Sequence, residues 1–295
     1  MKIIFVVLQA VVLIIAAPFV GGFIKKLKNY IRMRKGTPLF QPYYNIVKLF
    51  KKDETVSKDA SYIFRIAPYV LITTAVSAAF LAPSFFPSFH LSGTGDIFVI
   101  IFIFALGRFF TALAGLDTGS TFGGMGSSRE MFISALAEPA LLVSVFAASL
   151  AAGGTGIGSL IQEGSFKISL VCGGLAFYLV LLAETARVPV DNQETHLELT
   201  MIHEAMILEY SGKPLALIEL AGYIKQLVLI SLLVYIFIPF GSGPGFYIVK
   251  VLAVAAVTGV IEVSIAKMRL FRAVDYLIFS FILSLAAVTA FVMGV

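Results

Sequence analysis

Residues 97–116 read IFVIIFIFALGRFFTALAGL, twenty positions carrying one charge, Arg108. A run of roughly 20 apolar residues is what a helix needs to cross a bilayer. The rest of the chain repeats the pattern. Of its 295 residues, 59% are hydrophobic and 13% charged, with a mean hydropathy of +0.97, whereas about a quarter of residues are charged in soluble domains. Eight candidate spans emerge, at residues 3–24, 66–86, 97–116, 131–152, 166–182, 217–240, 246–266 and 274–293. Proline and glycine clusters punctuate them, among them Pro83 with Pro87, the glycines of 153–158, and Pro239 with those of 241–245. The expected fold is an all-α integral membrane protein, a single membrane domain over residues 1–295.

Basic residues orient the bundle, because cytoplasmic loops collect Lys and Arg. With eight spans, all but five of the 22 basic residues (Lys2, Arg108, Lys167, Lys225 and Lys250) fall on one side. That side is the expected cytoplasmic one, and both termini face outward. It contains a basic loop at 25–65 and a long acidic loop at 184–216, between the fifth and sixth spans. The first span continues past Ala16 and Ala17 to a basic cluster, which suits a retained helix better than a cleaved signal. The net charge of +5 therefore describes topology, and nothing points to nucleic acid.

Iron–sulfur clusters need several thiolates, and covalent haem needs Cys-x-x-Cys-His. The chain has one cysteine, Cys172, and three scattered histidines, His90, His196 and His203. No redox or zinc centre is expected from this chain alone.

Seven of the 17 acidic residues crowd into 184–219: Glu184, Asp191, Glu194, Glu198, Glu204, Glu209 and Glu219. Asp191 with Glu194, and Thr195 with Glu198, have the spacing of helix-starting caps, and Ser211-Gly212-Lys213-Pro214 reads as a stop. The expectation is one helix over 194–210. On a continuous helix Asp191, Glu194, Glu198 and Glu209 fall within about 60° of one another, a spacing at which like charges repel. Protonation or a facing basic partner would relieve them. Further acids lie at membrane depth: Glu138, followed by the helix-kinking Pro139, and Glu262, with Lys225 near Glu219. Ionisable groups at such depth are costly and often mark ion pathways. The expectation is a funnel from the acidic loop to mid-membrane, its carboxyls raised in pKa by burial without full pairing. The plainer alternative is structural pairing, Glu219 or Glu262 with Lys225, or Glu184 with Arg187.

Two more segments stand out. In RMRKGTPLFQPYYNIVKLFKKDE (32–54), Pro42 opens a helix with Tyr43, Ile46, Val47, Leu49 and Phe50 on one side and Lys48, Lys51 and Lys52 on the other. That is a membrane-surface amphipathic helix. LDTGSTFGGMGSSRE (116–130) is glycine-rich but lacks the Gly-Lys-Ser/Thr of a phosphate loop. It reads as a tightly turning loop and a docking surface.

The stretch AETARVPVDNQETHLELTMIHEAMILEYSGKPLAL (183–217) resembles the fifth-loop signature of the NADH dehydrogenase subunit 1 family of respiratory complex I. Ala183-Glu184, Arg187, Pro189, Asp191, Glu194, Glu198-Leu199 and Glu209-Tyr210-Ser211-Gly212 carry the likeness. The longer middle, HLELTMIHEAMILEYSG, together with LDTGSTFGGMGSSREM and RKGTPLFQPYYNIVKLF, is similar to the hydrogenase branch, of formate hydrogenlyase and hydrogenase-4 type. The resemblance implies a subunit that anchors a soluble arm and couples its chemistry to proton or sodium movement. Its implied partners are the hydrogenase large and small subunits and antiporter-like membrane subunits in the cytoplasmic membrane. The NiFe centre and iron–sulfur clusters would sit in those partners, with no cofactor in this chain. By the same resemblance, Glu138, Glu184, Glu204, Glu209, Glu219, Lys225 and Glu262 form a proton pathway. Arg187, Asp191, Glu194, Glu198, Arg34 and Gln41 then lie at the arm junction.

Two other functions compete. A quinone-site subunit of a respiratory complex fits the family but not the longer middle segment. A stand-alone transporter would show matching half-repeats, and the acidic loop has no counterpart in the first half.

Overall fold

The computed structural model describes residues 2–57, 60–85, 96–160, 167–192, 201–241 and 243–294, with side chains from Ile4 onward. Eleven helices form among them: α1 (Lys2–Ile31), α2 (Gln41–Phe50), α3 (Tyr62–Leu81), α4 (Ile97–Asp117), α5 (Thr121–Ala152), α6 (Ile157–Leu160), α7 (Ile168–Glu184), α8 (His203–Ile207), α9 (Gly212–Phe237), α10 (Pro244–Ser264) and α11 (Leu270–Val292). The all-α membrane architecture is as the composition requires. Seven helices, α1, α3, α4, α5, α9, α10 and α11, are long and apolar enough to cross a membrane. The fifth expected span is α7, whose 17 residues stand at the lower limit of spanning length, roughly 17–25 residues.

The most enclosed helix is α9, whose apolar residues are spread around its whole circumference. Around it pack α1, α2, α3 and α7, while α10 lies on α1, and α11 closes against α5 and α7. The main core runs through Leu13, Ile24, Ile100, Phe177, Leu181 and Ile230, all buried. The helices alternate in direction. One end of the bundle gathers the termini of the chain. The other, the basic end, gathers α2, α8, the α4–α5 turn and the last residues of α7.

Local chemistry fixes the basic end. Asp117, closing α4, accepts the Ser61 and Phe64 backbone N–H groups at 2.8 and 3.2 Å, tying down the start of α3. Tyr210 stacks on Phe64 with ring centroids 3.9 Å apart, and its hydroxyl donates to the Phe64 carbonyl at 2.8 Å. Burial and the nearby Asp117 push the Tyr210 phenol above its ordinary range, so it stays a donor. Thr55 donates its backbone N–H to the Ser211 hydroxyl at 2.9 Å, and the two hydroxyls share a further hydrogen bond at 2.8 Å.

Three expectations need correction. The glycine-rich stretch is not a loop: residues 118–120 turn, and α5 starts at Thr121, where the Ser120 hydroxyl accepts the Gly123 N–H at 3.1 Å. Its glycines serve packing inside the chain, since a Cβ at Gly126 would press on Ala205 and the Ile202 carbonyl at 2.9 and 3.0 Å. The single helix expected over 194–210 does not form as such. Residues 201 and 202 are non-helical and α8 spans only His203–Ile207, because buried Met201, Ile202 and Met206 pull the segment onto α4 and α5. The helix on which the acidic strip depended is thus not continuous through residues 201–202, and Glu194, Glu198 and His196 lie outside the described residues, as does His90. Finally, α1 continues to Ile31, which moves Lys28 from the expected loop onto a helix where it is buried.

Candidate functional site

The site is organised by residues 184–191, ETARVPVD. Helix α7 ends at Glu184 with a Schellman closure: Arg187 N–H donates to Leu182 O at 2.9 Å and Ala186 N–H to Ala183 O at 3.1 Å. Ala186 takes the left-handed position of that motif, φ 49°. The bend sends Glu184 and Arg187 in different directions. The Val188–Pro189 peptide is cis, and the Pro189 carbonyl accepts the Met268 N–H at 2.9 Å, joining this segment to the α10–α11 connection.

Three charged groups hang from the segment. Glu184, with its side chain 2% exposed, meets Arg108 of α4 and Lys225 of α9, both at 2.8 Å. Arg108 also approaches Glu138 of α5 at 3.5 Å. Arg187 binds Glu262 of α10 at 2.7 Å and donates to the Gln226 side-chain oxygen at 2.9 Å. Glu262 takes a second cation, Lys28 of α1, at 2.5 Å. Asp191 is held by Lys267 at 2.5 Å and accepts the His203 N–H at 3.0 Å, which anchors α8. Thus Lys225 and Gln226, adjacent on α9, tie the first two groups together, and Glu184 and Arg187 tie them again from α7.

The pairing differs from the expected options. Glu184 pairs with Arg108 and Lys225 rather than Arg187, and Glu262 with Lys28 and Arg187 rather than Lys225. Glu184 and Glu262 are also not buried without partners. Each shares its charge with two cations, which is how a carboxylate survives burial.

A cavity of about 410 Å³ opens against these groups. Arg108, Glu184, Arg187 and Gln226 form its most buried wall, and Lys25, Glu130, His203, Glu204 and Glu219 its half-buried one. Phe104, Met206, Ile207, Leu215 and Ile218 supply an apolar side. Four basic and four acidic side chains line it. Four buried polar atoms of its wall have no hydrogen-bond partner within the protein: Arg108 Nε, Arg187 Nε, Gln226 Nε2 and Glu184 Oε1. Buried polar groups are almost always satisfied, and a cavity this large admits the waters that would do so.

The structure sorts the remaining residues singled out from the sequence. Glu204, Glu219 and Lys225 line the cavity with Glu184. Glu262 is reached from it through Arg187. Glu138 is not among the lining residues; its side chain is 36% exposed and meets the network only through Arg108. Glu209, between the lining residues Leu208 and Tyr210, is exposed, as is Arg34, and neither lines the cavity; Gln41 donates to Asn45 at 3.0 Å on α2. Arg187 and Asp191 are 7% and 2% exposed and engaged within the chain. Sequence reasoning left four residues of the network without a role: Arg108, noted only as a cation inside a span, Lys28, Gln226 and Lys267. Lys28 gave no signal in the sequence, since it stands among Lys25, Lys26 and Arg32 in a basic cluster. Among the described residues no group of three or more His, Cys, Asp or Glu side chains is placed to hold a metal ion.

Comparison with known proteins gives a consistent picture. The profile of the family described as NADH dehydrogenase matches residues 2–294. Hydrogenase-4 component C of Escherichia coli (strain K12) is 36% identical over 245 residues, 82% of this chain and 77% of its own. Formate hydrogenlyase subunit 4 of the same organism is 32% identical over 287 residues, 92% of each chain. NADH-quinone oxidoreductase subunit 8 of Rhodothermus marinus is 27% identical over 75% of this chain and 66% of its own. In fold, the chain matches one from the membrane-bound sulfane sulfur reductase, an archaeal respiratory membrane complex, with a TM-score of 0.83 at 19% identity, covering 96% and 98% of the two chains.

Proposed function

The chain belongs to the NADH dehydrogenase family, and from that premise we propose that it is the membrane subunit of a complex I-like NiFe hydrogenase, coupling the chemistry of a soluble arm to ion movement. The observation that carries the coupling role is the cavity, where Arg108, Glu184, Lys225 and Arg187 meet space for water at membrane depth. The likeness to hydrogenase-4 component C and formate hydrogenlyase subunit 4 supports the hydrogenase branch.

The mechanism follows from the double pairing. Glu184 holds Arg108 and Lys225 with one carboxylate. A proton reaching Glu184 by way of Glu204 and Glu219 cancels that attraction, and in a low-dielectric interior the loss is large. Lys225 then moves, and with it the neighbouring Gln226, which holds Arg187 on Glu262. Charge released on one side of the site is thereby felt on the other, and through Arg108 at Glu138. Arg34, Gln41, Arg187, Asp191, Glu194 and Glu198 are assigned to the arm junction. Glu209 stands at the entrance. The basic end faces the cytoplasm, both termini face outward, and the redox centres are held by partner subunits.

The test is a mild-detergent purification of the chain from its native membrane, followed by metal analysis and subunit identification. Nickel and iron with a hydrogenase large subunit is the expected result. A second reading, a quinone-site subunit, draws on the relative from Rhodothermus marinus and on the apolar side of the cavity. Flavin and quinone without nickel would establish that reading in place of the first.

A further inference from the structure

Helix α2 does not lie as an isolated helix on the surface; it is inclined along α1 and α9. Its N-terminal end sits beside α1: a Cβ at Gly22 would meet the Leu39 carbonyl and, at 3.3 Å, Pro42. The Tyr43 hydroxyl reaches deeper, donating to the Ile15 carbonyl, and the rings of Phe40 and Phe19 lie 6.1 Å apart. The other end of the segment abuts the start of α9, where a Cβ at Gly212 would meet the Lys52 and Asp53 carbonyls at 2.9 and 2.7 Å. Gly21 packs on Tyr223, which sets the two long helices in register. From that level Gly212 is eleven residues away, about 16 Å at 1.5 Å per residue. The segment from Leu39 to Asp53, with α2 inside it, therefore climbs by about 16 Å along the long helices.

The exposed side chains are sorted along that incline. Pro42 and Ile46 face the protein. Tyr44, Val47, Lys48 and Lys51 fall within about 100° of one another on the opposite side, and all four are exposed, as are Phe40 and Lys52. The deep end presents Phe40 and Tyr44, the latter 63% exposed. The shallow end presents Lys48, Lys51 and Lys52. The expected division, apolar on one side and lysine on the other, is thus corrected: Ile46 turns inward, while Val47 and the lysines share the outer face.

We infer that this face is a binding site for an anionic phospholipid of the bilayer, its acyl chain against Phe40, Tyr44 and Val47 and its headgroup on Lys48, Lys51 and Lys52. Charge complementarity and the depth order argue for lipid. Aromatic rings at the chain level and ammonium groups at the phosphate level match the layers of a leaflet. A protein partner has no need of that order. Asn45, elsewhere on α2, lines the cavity, but none of the six residues of this face does.

The test is native mass spectrometry of the detergent-purified complex with added phosphatidylglycerol or phosphatidylcholine. Two variants are compared with the parent: Lys48→Gln/Lys51→Gln/Lys52→Gln, and Arg269→Gln/Arg272→Gln, which removes exposed charge elsewhere at the basic end. The expected result is preferential retention of phosphatidylglycerol, lost by at least about tenfold in the lysine variant and kept in the arginine variant. Phe40→Ala/Tyr44→Ala, which leaves the charge unchanged, is expected to weaken retention of the same lipid. Equal loss in the lysine and arginine variants would mean diffuse attraction and overturn the site. Cross-linking of Lys48 or Lys51 to another subunit, without lipid retention, would overturn it in favour of a protein partner.

Discussion

At the basic end of the bundle, Glu184 and Glu262 each accept from two cations beside a cavity of about 410 Å³. At the opposite end, buried polarity among the described residues is neutral. Ser84 donates to Gln9 at 2.9 Å, Tyr235 donates to the Ser84 carbonyl, and Tyr247 exchanges a hydrogen bond with Ser231 at 2.6 Å, its ring stacked on Tyr235. The pocket near that end measures about 10 Å³ and has an apolar lining. Both arrangements fasten helices together, but only the first combines titratable groups with room for water. Hydroxyls and amides would have fastened the basic end with less desolvation. The persistence of charge there points to a role beyond adhesion.

The contrast can be broken by substitution, and the largest effect is expected at the ion pairs. Glu262→Gln leaves Lys28 and Arg187 without their carboxylate, and removing one partner of a buried pair costs about 3–5 kcal/mol. Denaturant titration in detergent should show this loss. Gln226→Leu takes an acceptor from a guanidinium, and hydrogen bonds to charged groups are worth about 1.5–3 kcal/mol. The same titration should place it second. At the neutral end Tyr247→Phe removes one ordinary hydrogen bond, about 1 kcal/mol; a loss as large as that of Glu262→Gln would erase the distinction between the two ends. The smallest effect belongs to Ala186→Gly. Glycine relieves the left-handed strain of about 1–2 kcal/mol but adds about 0.5–1 kcal/mol of chain entropy. A thermal midpoint equal to or slightly above the parent's is expected.

Much of this was legible in the sequence, for physical reasons. A long apolar run has few destinations, so the membrane class and the position of nearly every helix follow from hydropathy. Of the acids clustered in 184–219, Glu184, Glu204 and Glu219 line the cavity, and their scarcity in so apolar a chain is what drew attention to them. Pairing was not legible. Glu184 finds Arg108 at a separation of 76 residues and Arg187 finds Glu262 at 75, and periodicity carries no signal over such distances. The local misreadings share a cause. Capping spacing and glycine content predicted a long helix at 194–210 and a loop at 116–130. Tertiary burial of Met201, Ile202 and Met206, and the close approach of Gly126 to α8, decided otherwise.

The most direct measurement is hydrogen-linked ion uptake by the reconstituted complex carrying Glu184→Gln, beside Tyr247→Phe and the parent. If the charged end couples chemistry to transport, Glu184→Gln assembles and turns over hydrogen but loses most ion uptake, while Tyr247→Phe keeps it. Undiminished uptake in an assembled Glu184→Gln complex would contradict the coupling role and leave the charged network as an anchor.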